Sequence, residues 1–205
     1  MIPAYSLAEI EKLKPCKDRF AAVRGLNLGR GKITAKEAIK AGVSFDDLMW
    51  TASAIATGKD EQSLDVKFRL TGWLADVAAH VLHIFEKGYP NDDRPRRAIE
   101  ATHQFVRGII SEQEWAAEAA KAAEAAEAAG AAGAAGAAGA AGAAGAAGAA
   151  WAAWAAWAAR AAWTARAAWT ARAAGAAERQ WQTKRLIYWL SEEKPKFWPL
   201  PESIK

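Results

Sequence analysis

The sequence predicts an all-α fold: a helical domain, a long Ala-rich triplet-repeat helical segment and a short docking helix. Three observations favour this class. Helix-capping motifs recur, an apolar stripe with helical spacing runs through residues 61–87, and the later part is dominated by alanine, the strongest helix former. No segment alternates apolar and polar residues with period two, so no sheet is expected.

Four predicted helix starts are Ser or Thr residues that an acid follows three positions later. They are Ser6/Glu9, Thr34/Glu37, Ser44/Asp47 and Ser111/Glu114. In such a motif the hydroxyl accepts a hydrogen bond from the later backbone N–H, and the acid can reach back to the first. The predicted helix ends are glycines, namely Gly42, Gly58, Gly88 and Gly108.

Residues 61–87 predict the central core helix, because apolar side chains recur at spacings of mostly three and four. A shorter helix is predicted over 95–107, with Pro95 in its first turn, where the missing N–H has no helical partner in any case. Ile99 and Val106, seven residues apart, are expected to face inward on it.

From Trp115 to Glu178 the chain is a triplet repeat in which nearly every residue outside one position per triplet is alanine. Charged residues come first, then seven glycines from Gly130 to Gly148. A Trp/Arg block follows: Trp151, Trp154, Trp157, Arg160, Trp163, Arg166, Trp169 and Arg172.

The conformation of this repeat stays open between two helices. An α-helix turns about 300° per triplet and winds the distinct residues around its axis, whereas a 3₁₀-helix aligns them in one row. The glycine block has two interpretations as well, a functional surface or a spacer that arose by expansion of a nine-nucleotide repeat. We divide the chain into residues 1–114, 115–178 and 179–205, the last forming a docking helix and an extended tail.

Composition limits the function classes. The single cysteine, Cys16, leaves no intramolecular disulfide, and the N-terminal residues lack the features of a signal peptide, so a cytoplasmic location is expected. The net charge is +4, and residues 129–205 carry nine basic against four acidic residues. That excess is too modest to indicate nucleic-acid binding by itself.

No pattern of catalytic or metal-binding residues is present in the sequence. His80, His83 and Glu86 lie three apart on the predicted central helix, but a further ligand is lacking and the spacing matches no zinc motif. Cys16 has no convincing histidine or acid beside it and is expected to be a core or helix-edge thiol rather than a nucleophile. We therefore predict a non-enzymatic protein that holds no metal and no cofactor.

Two sets of residues are candidates for binding a protein partner. The first is the loop that contains Asp92, Asp93, Arg94 and Arg96, which is either a recognition site or an internally paired helix junction. The second is the Trp/Arg block, because Trp and Arg are the preferred hot-spot residues of protein interfaces.

The run from Ala79 to Ala101 resembles a family of bacterial and phage proteins described as putative immunity proteins. Its most specific part is the string Phe-Glu, Tyr-Pro, Asp-Arg-Pro-Arg and Ile-Glu-Ala within residues 85–101. The similarity extends from about Leu7 to Trp189. The resemblance implies a helical domain that continues into an Ala-rich tail and neutralises a toxin or defence effector by binding, and it transfers no catalytic residue.

Two alternatives to this protein-binding function stay open. Interleaved Trp and Arg can stack on bases and pair with phosphates, which is typical of nucleic-acid binding. The other alternative is a structural or membrane-surface helical element. Residues 128–159 are uncharged and long enough to cross a bilayer, but Ala and Gly insert weakly, so a membrane span is not expected. The oligomeric state is left open.

Overall fold

The computed structural model describes residues 3–26, 31–131, 172–192 and 195. These residues form eight helices and one two-stranded sheet, so the predicted all-α class is confirmed. In chain order the elements are β1 (Ala4–Tyr5), α1 (Leu7–Glu11), α2 (Lys17–Arg24), β2 (Ile33–Thr34), α3 (Ala35–Lys40), α4 (Phe45–Ile55), α5 (Glu61–Gly88), α6 (Arg94–Val106), α7 (Glu112–Ala131) and α8 (Arg172–Ser191).

The small sheet corrects the expectation of no strands. β1 pairs antiparallel with β2, so that Ala4 lies opposite Thr34 and Tyr5 opposite Ile33. Strands of two residues are too short to show an alternating pattern, which is why periodicity missed them. Both strands lead directly into helices, since Ser6 caps α1 and Thr34 caps α3.

The capping motifs form as predicted. The Ser6 backbone N–H donates to Glu9 Oε2 at 2.7 Å, and the Glu9 N–H donates back to the Ser6 hydroxyl at 3.3 Å. The motifs that begin at Thr34, Ser44 and Ser111 make the corresponding hydroxyl bonds. Gly42 and Gly108 follow α3 and α6 with φ of +101° and +70°, a backbone conformation that favours glycine.

The chain divides into two compact units, Met1–Leu70 with Thr183–Pro195, and Thr71–Gln182 with Lys196–Lys205. In the first unit, Ala38 and Val43 are buried beside Leu7, Val23 and Ile33. The end of α8 packs within this unit, because Leu186, Trp189 and Leu190 are buried. The buried Arg69 guanidinium donates to the Trp189 carbonyl at 2.7 Å.

The core of the second unit is built largely from alanine. Ala75 and Ala78 of α5, Ala98 of α6 and Ala122 of α7 are buried in one cluster that also holds Leu82 and Ile99. Small side chains let helix backbones approach closely, so an Ala-rich stripe serves here as a core surface. A second cluster joins Val81 and Phe85 to Ala125 and Ala129.

The repeat is α-helical at both of its described ends. Its first triplets lie in α7, so the 3₁₀ alternative does not apply to residues 115–131. Its last triplets lie in α8, which at 20 residues is longer than the short terminal helix expected from Trp181 onward. Residues 132–171 and the predicted tail after Pro195 lie outside the described residues, and the three-part domain division stays a prediction.

Candidate functional site

The predicted recognition loop joins α5 to α6 and is anchored at both ends. At its start the Tyr89 ring stacks on the buried Phe85 ring, with centroids 5.0 Å apart. At its end Pro95 is fully buried in the first turn of α6. The polar residues between these anchors are therefore presented from a fixed backbone, which favours precise side-chain positions.

A network of ion pairs, which we call the α6 charge cluster, surrounds this loop. Arg94 binds Asp92 with two hydrogen bonds, Nε to Oδ1 at 2.9 Å and Nη2 to Oδ2 at 2.6 Å. Arg96 pairs with Glu86 near the end of α5. Arg97 lies 3.5 Å from both Asp93 and Glu118, and Glu118 also accepts from Lys121.

These pairs set the electrostatics of the loop. The hydrogen bonds from Arg94 hold the pKa of Asp92 below its ordinary value, so that Asp92 is charged at neutral pH. The structure thus supports the internally paired junction, with Arg94 and Arg96 in intrachain ion pairs. The acids Asp93 and Glu124 are both exposed, with 64% and 70% of their side chains accessible, and they pair with Arg97 and Arg94. Recognition by Asp92, Asp93, Arg94 and Arg96 stays a prediction.

Among the described residues, His80 and His83 of α5 do not lie together with the further side chains that would complete a metal site. His80 stacks on Trp181 with ring centroids 4.0 Å apart, and its Nε2 lies 3.0 Å from Glu178 Oε2. His83 contacts the His80 carbonyl, and Glu86 is engaged by Arg96. Among the described residues, no three His, Cys, Asp or Glu side chains are grouped to hold a metal.

Glu178 is a contact that the sequence analysis missed. Although burial raises its pKa most, hydrogen bonds from His80 and Gln182 together bring the pKa of Glu178 below its ordinary value. The sequence contained a signal for a specific role of Glu178, because it is an isolated acid at the end of a triplet series of Trp, Arg and Gly. It also lies four residues before Gln182, the spacing of side chains that can bond to each other on a helix.

A second missed pair lies deep in the unit formed by α5, α6 and α7. Asp76 is fully buried, and its Oδ1 lies 3.4 Å from Nε2 of the nearly buried His103. Nearby, Trp115 donates through Nε1 to the Thr102 hydroxyl at 2.9 Å. An acid in the middle of the apolar stripe of α5 was the available signal, since such a group is rarely buried without a partner.

The Trp/Arg block lies almost wholly outside the described residues. Trp151, Trp154, Trp157, Arg160, Trp163, Arg166 and Trp169 lie outside the described residues, and Arg172 is described only as the first residue of α8. Within the described ranges, the helices include none that is both long and apolar enough to span a membrane. Most of the uncharged run 128–159 falls outside those ranges.

The second unit is thus a helical framework of α5–α8 that carries a rigid, charged interhelix loop and interior polar pairs. The family model described as "Imm-5 like putative immunity protein" matches residues 62–188, and the chain belongs to this family. The match confirms the predicted resemblance over a narrower span than Leu7 to Trp189. No curated protein and no solved structure matches the chain.

Proposed function

We propose that this protein binds a toxin or defence effector protein in a stoichiometric complex and neutralises it without catalysing a reaction. The observation that carries the proposal is membership of an immunity-protein family across α5, α6, α7 and most of α8. In the described part, His80 and His103 each lie beside one acidic side chain of the same chain. His80 binds Glu178, and Asp76 lies against His103.

The α6 charge cluster supports a role in binding, because it displays both signs of charge on a fixed loop. Charged rim residues steer association and select partners by complementarity. Asp93 and Arg97 of this cluster are available to a partner, with side chains 64% and 46% exposed. We include the Trp/Arg block in the proposed partner surface on the sequence argument that Trp and Arg dominate interface hot spots.

The test begins with the full chain as bait in lysate of the source organism, followed by purification of each captured protein. Titration calorimetry with a purified partner should give one-to-one stoichiometry, and co-expression should relieve the toxicity of that partner. Binding that yields no relief of toxicity, or toxicity that catalytic amounts of this protein relieve, would contradict the proposal.

Two variants and a control locate the surface. Asp93→Ala should weaken the complex without changing the fold, because the Asp93 side chain is exposed and its ion pair with Arg97 spans 3.5 Å. Replacing Trp151, Trp154 and Trp157 together by Ala tests the block in the repeat. Asp18→Ala removes an exposed acid from α2 and is the matched control.

Salt separates this function from the nucleic-acid alternative. Phosphate contacts release counterions, so binding to bulk DNA or RNA falls steeply with salt concentration. A protein complex with an apolar centre should keep most of its affinity between 50 and about 300 mM salt. Tight, steeply salt-dependent binding of nucleic acid would replace the proposed function, and binding to lipid vesicles alone would indicate the membrane-surface alternative.

A further inference from the structure

The contacts within the second unit fix the directions of its helices, beginning with α5 and α6. At the start of α6, Arg96 pairs with Glu86 near the end of α5. Towards the end of α6, His103 Nε2 lies 3.4 Å from Oδ1 of Asp76, which comes earlier on α5. The two helices therefore run in opposite directions, and the α5–α6 loop lies where α5 ends.

The direction of α7 follows from contacts at both of its ends. Near its start, Trp115 donates to the hydroxyl of Thr102, close to the end of α6. Near its end, Ala129 is buried in one cluster with Phe85, close to the end of α5. α7 therefore runs parallel to α5, and Ala131, at which α7 ends, lies at the same end of the unit as the α5–α6 loop.

The first half of α8 runs antiparallel to α5. Glu178 Oε2 lies 3.0 Å from His80 Nε2. Further along α8, the Gln182 carbonyl accepts a hydrogen bond of 3.1 Å from Nε1 of Trp73, which comes earlier on α5. Since an α-helix rises 1.5 Å per residue, Arg172 at the start of α8 lies about 9 Å beyond Glu178, towards the end of α5. The start of α8 and the end of α7 thus lie at the same end of the unit.

The repeat is therefore joined to the described structure at one end of the second unit only. Residues 132–171, which include most of the Trp/Arg block, follow the end of α7 and precede the start of α8. The same end, which we call the loop end, carries the α5–α6 loop with Asp93, and also Glu124 of α7, which pairs with Arg94 at 3.7 Å. The two candidate partner-binding sets are distant in the sequence, yet the fold attaches both to the loop end.

We propose that the loop end is the partner-binding surface of the second unit, and that the α5–α6 loop and the repeat engage the same protein partner together. This rests on the proposed function, because it locates the surface that meets the toxin or effector. Two attached elements that bind one partner reinforce each other, since the first contact makes the second intramolecular.

The charges at the loop end indicate the kind of partner surface that fits it. The exposed Asp93 pairs with Arg97, and the exposed Glu124 pairs with Arg94, so both signs of charge are presented side by side. Complementarity then requires a partner surface that also carries both signs. A uniformly negative surface, such as a nucleic-acid backbone, lacks the positive groups that would face the two carboxylates.

Distances between pairs of spin labels test the geometry without the partner. In a Cys16→Ser background, Ala131→Cys and Arg172→Cys place labels at the end of α7 and the start of α8. These labels should lie within about 25 Å of each other, because helices packed on a common neighbour have axes about 8–10 Å from it. The matched control, Glu112→Cys with Arg172→Cys, should give at least about 30 Å, the length of the 20-residue α7. A distance in the first pair as long as in the control would overturn the inference.

Matched variants on α7 test the surface with the purified partner. Glu124 and Glu112 are both exposed glutamates of this helix and lie towards its opposite ends. Glu124→Ala should weaken partner binding about two- to five-fold, the range of a single exposed ion pair, whereas Glu112→Ala should leave it unchanged. Hydrogen exchange in the complex should slow at residues 89–93 and within the repeat, but not at residues 107–111, which join α6 to α7 at the other end.

These measurements separate failure of the surface from failure of the function. If the chain neutralises its partner but the complex protects residues 107–111 instead of 89–93, the loop end is not the interface while the proposed function stands. Equal weakening by Glu112→Ala and Glu124→Ala has the same meaning. If the native chain neutralises no partner, the proposed function fails, and the proposed interface fails with it even where the label distances agree.

Discussion

Trp115 should be the residue of α7 whose replacement destabilises the second unit most clearly. Its side chain is fully buried, its ring stacks on Phe105 with centroids 4.2 Å apart, and its Nε1 donates to the Thr102 hydroxyl at 2.9 Å. Trp115→Phe keeps an aromatic ring but removes the donor and part of the buried volume. The loss of stability therefore has two separable parts.

The magnitude follows from those parts. A hydrogen bond of this kind contributes about 1 kcal/mol, and the missing ring atoms correspond to about two buried methylene groups at about 0.8 kcal/mol each. Trp115→Phe should therefore lower the free energy of unfolding by about 2–3 kcal/mol. Thr102→Val is the partner variant, because it keeps the side-chain shape and removes the acceptor. It also removes the bond that the Thr102 hydroxyl donates to the Ala98 carbonyl at 2.7 Å, a loss that the single and the double variant share.

Urea denaturation followed by far-UV circular dichroism measures both changes, since tryptophan fluorescence would mix signals from 11 residues. The double variant should cost about 1 kcal/mol less than the sum of the single variants, because they remove the same bond. A loss below about 0.5 kcal/mol in Trp115→Phe, or strict additivity with Thr102→Val, would refute this account of the α7 anchor.

Three further predictions concern charged residues. The Ser6 N–H and neighbouring groups lower the pKa of Glu9 from 4.5 to about 2. The ionised Glu9 carboxylate therefore contributes fully to the free energy of unfolding above about pH 4.5, and this contribution is lost as the pH falls through 2. In Glu9→Gln the urea midpoint, plotted against pH, should fall less between about pH 4.5 and 2 than it does in the native chain. An unchanged dependence of the midpoint on pH would contradict this prediction. Arg69→Met should cost about 2 kcal/mol, because the buried Trp189 carbonyl loses a charged donor, and calorimetry would detect the lower melting temperature. Arg96→Ala should cost at least about 1 kcal/mol through loss of its acid partner on α5, and full stability in urea would show that this ion pair is merely solvated.

The parts of the fold that depend on neighbouring residues were predictable from the sequence. Ser6 and Thr34 predict helix starts because their capping partners lie three residues away. Pro95 likewise predicts the first turn of α6, because the preference of proline for that position depends only on the local backbone. The long apolar stripe likewise gave α5 nearly to the residue, since periodicity reports which face is buried.

The features that depend on distant residues were missed. Asp76 and His103 come into contact only when α5 and α6 pack, and the spacing of the two residues in the sequence does not predict that contact. A cavity of about 290 Å³ in the first unit is lined by Ala52 and by residues of several helices, and no local sequence pattern predicts it. For the α6 charge cluster, the sequence listed most of the charges but could not assign each arginine to its acid.

The winding of α7 distributes the distinct residues of its triplets around the helix axis. Each triplet moves its distinct residue about 60° backward around an α-helix, so a series that starts at the buried Trp115 needs six triplets to return to the same direction. Lys121, Glu124 and Glu127 fall on the outward arc and are exposed, whereas Glu118, next to Trp115, is half-buried and paired. The alanines between these charged residues supply the buried face of α7, since Ala119, Ala122, Ala125 and Ala129 are buried. One helix thus uses its triplet repeat to place charge outward and alanine inward.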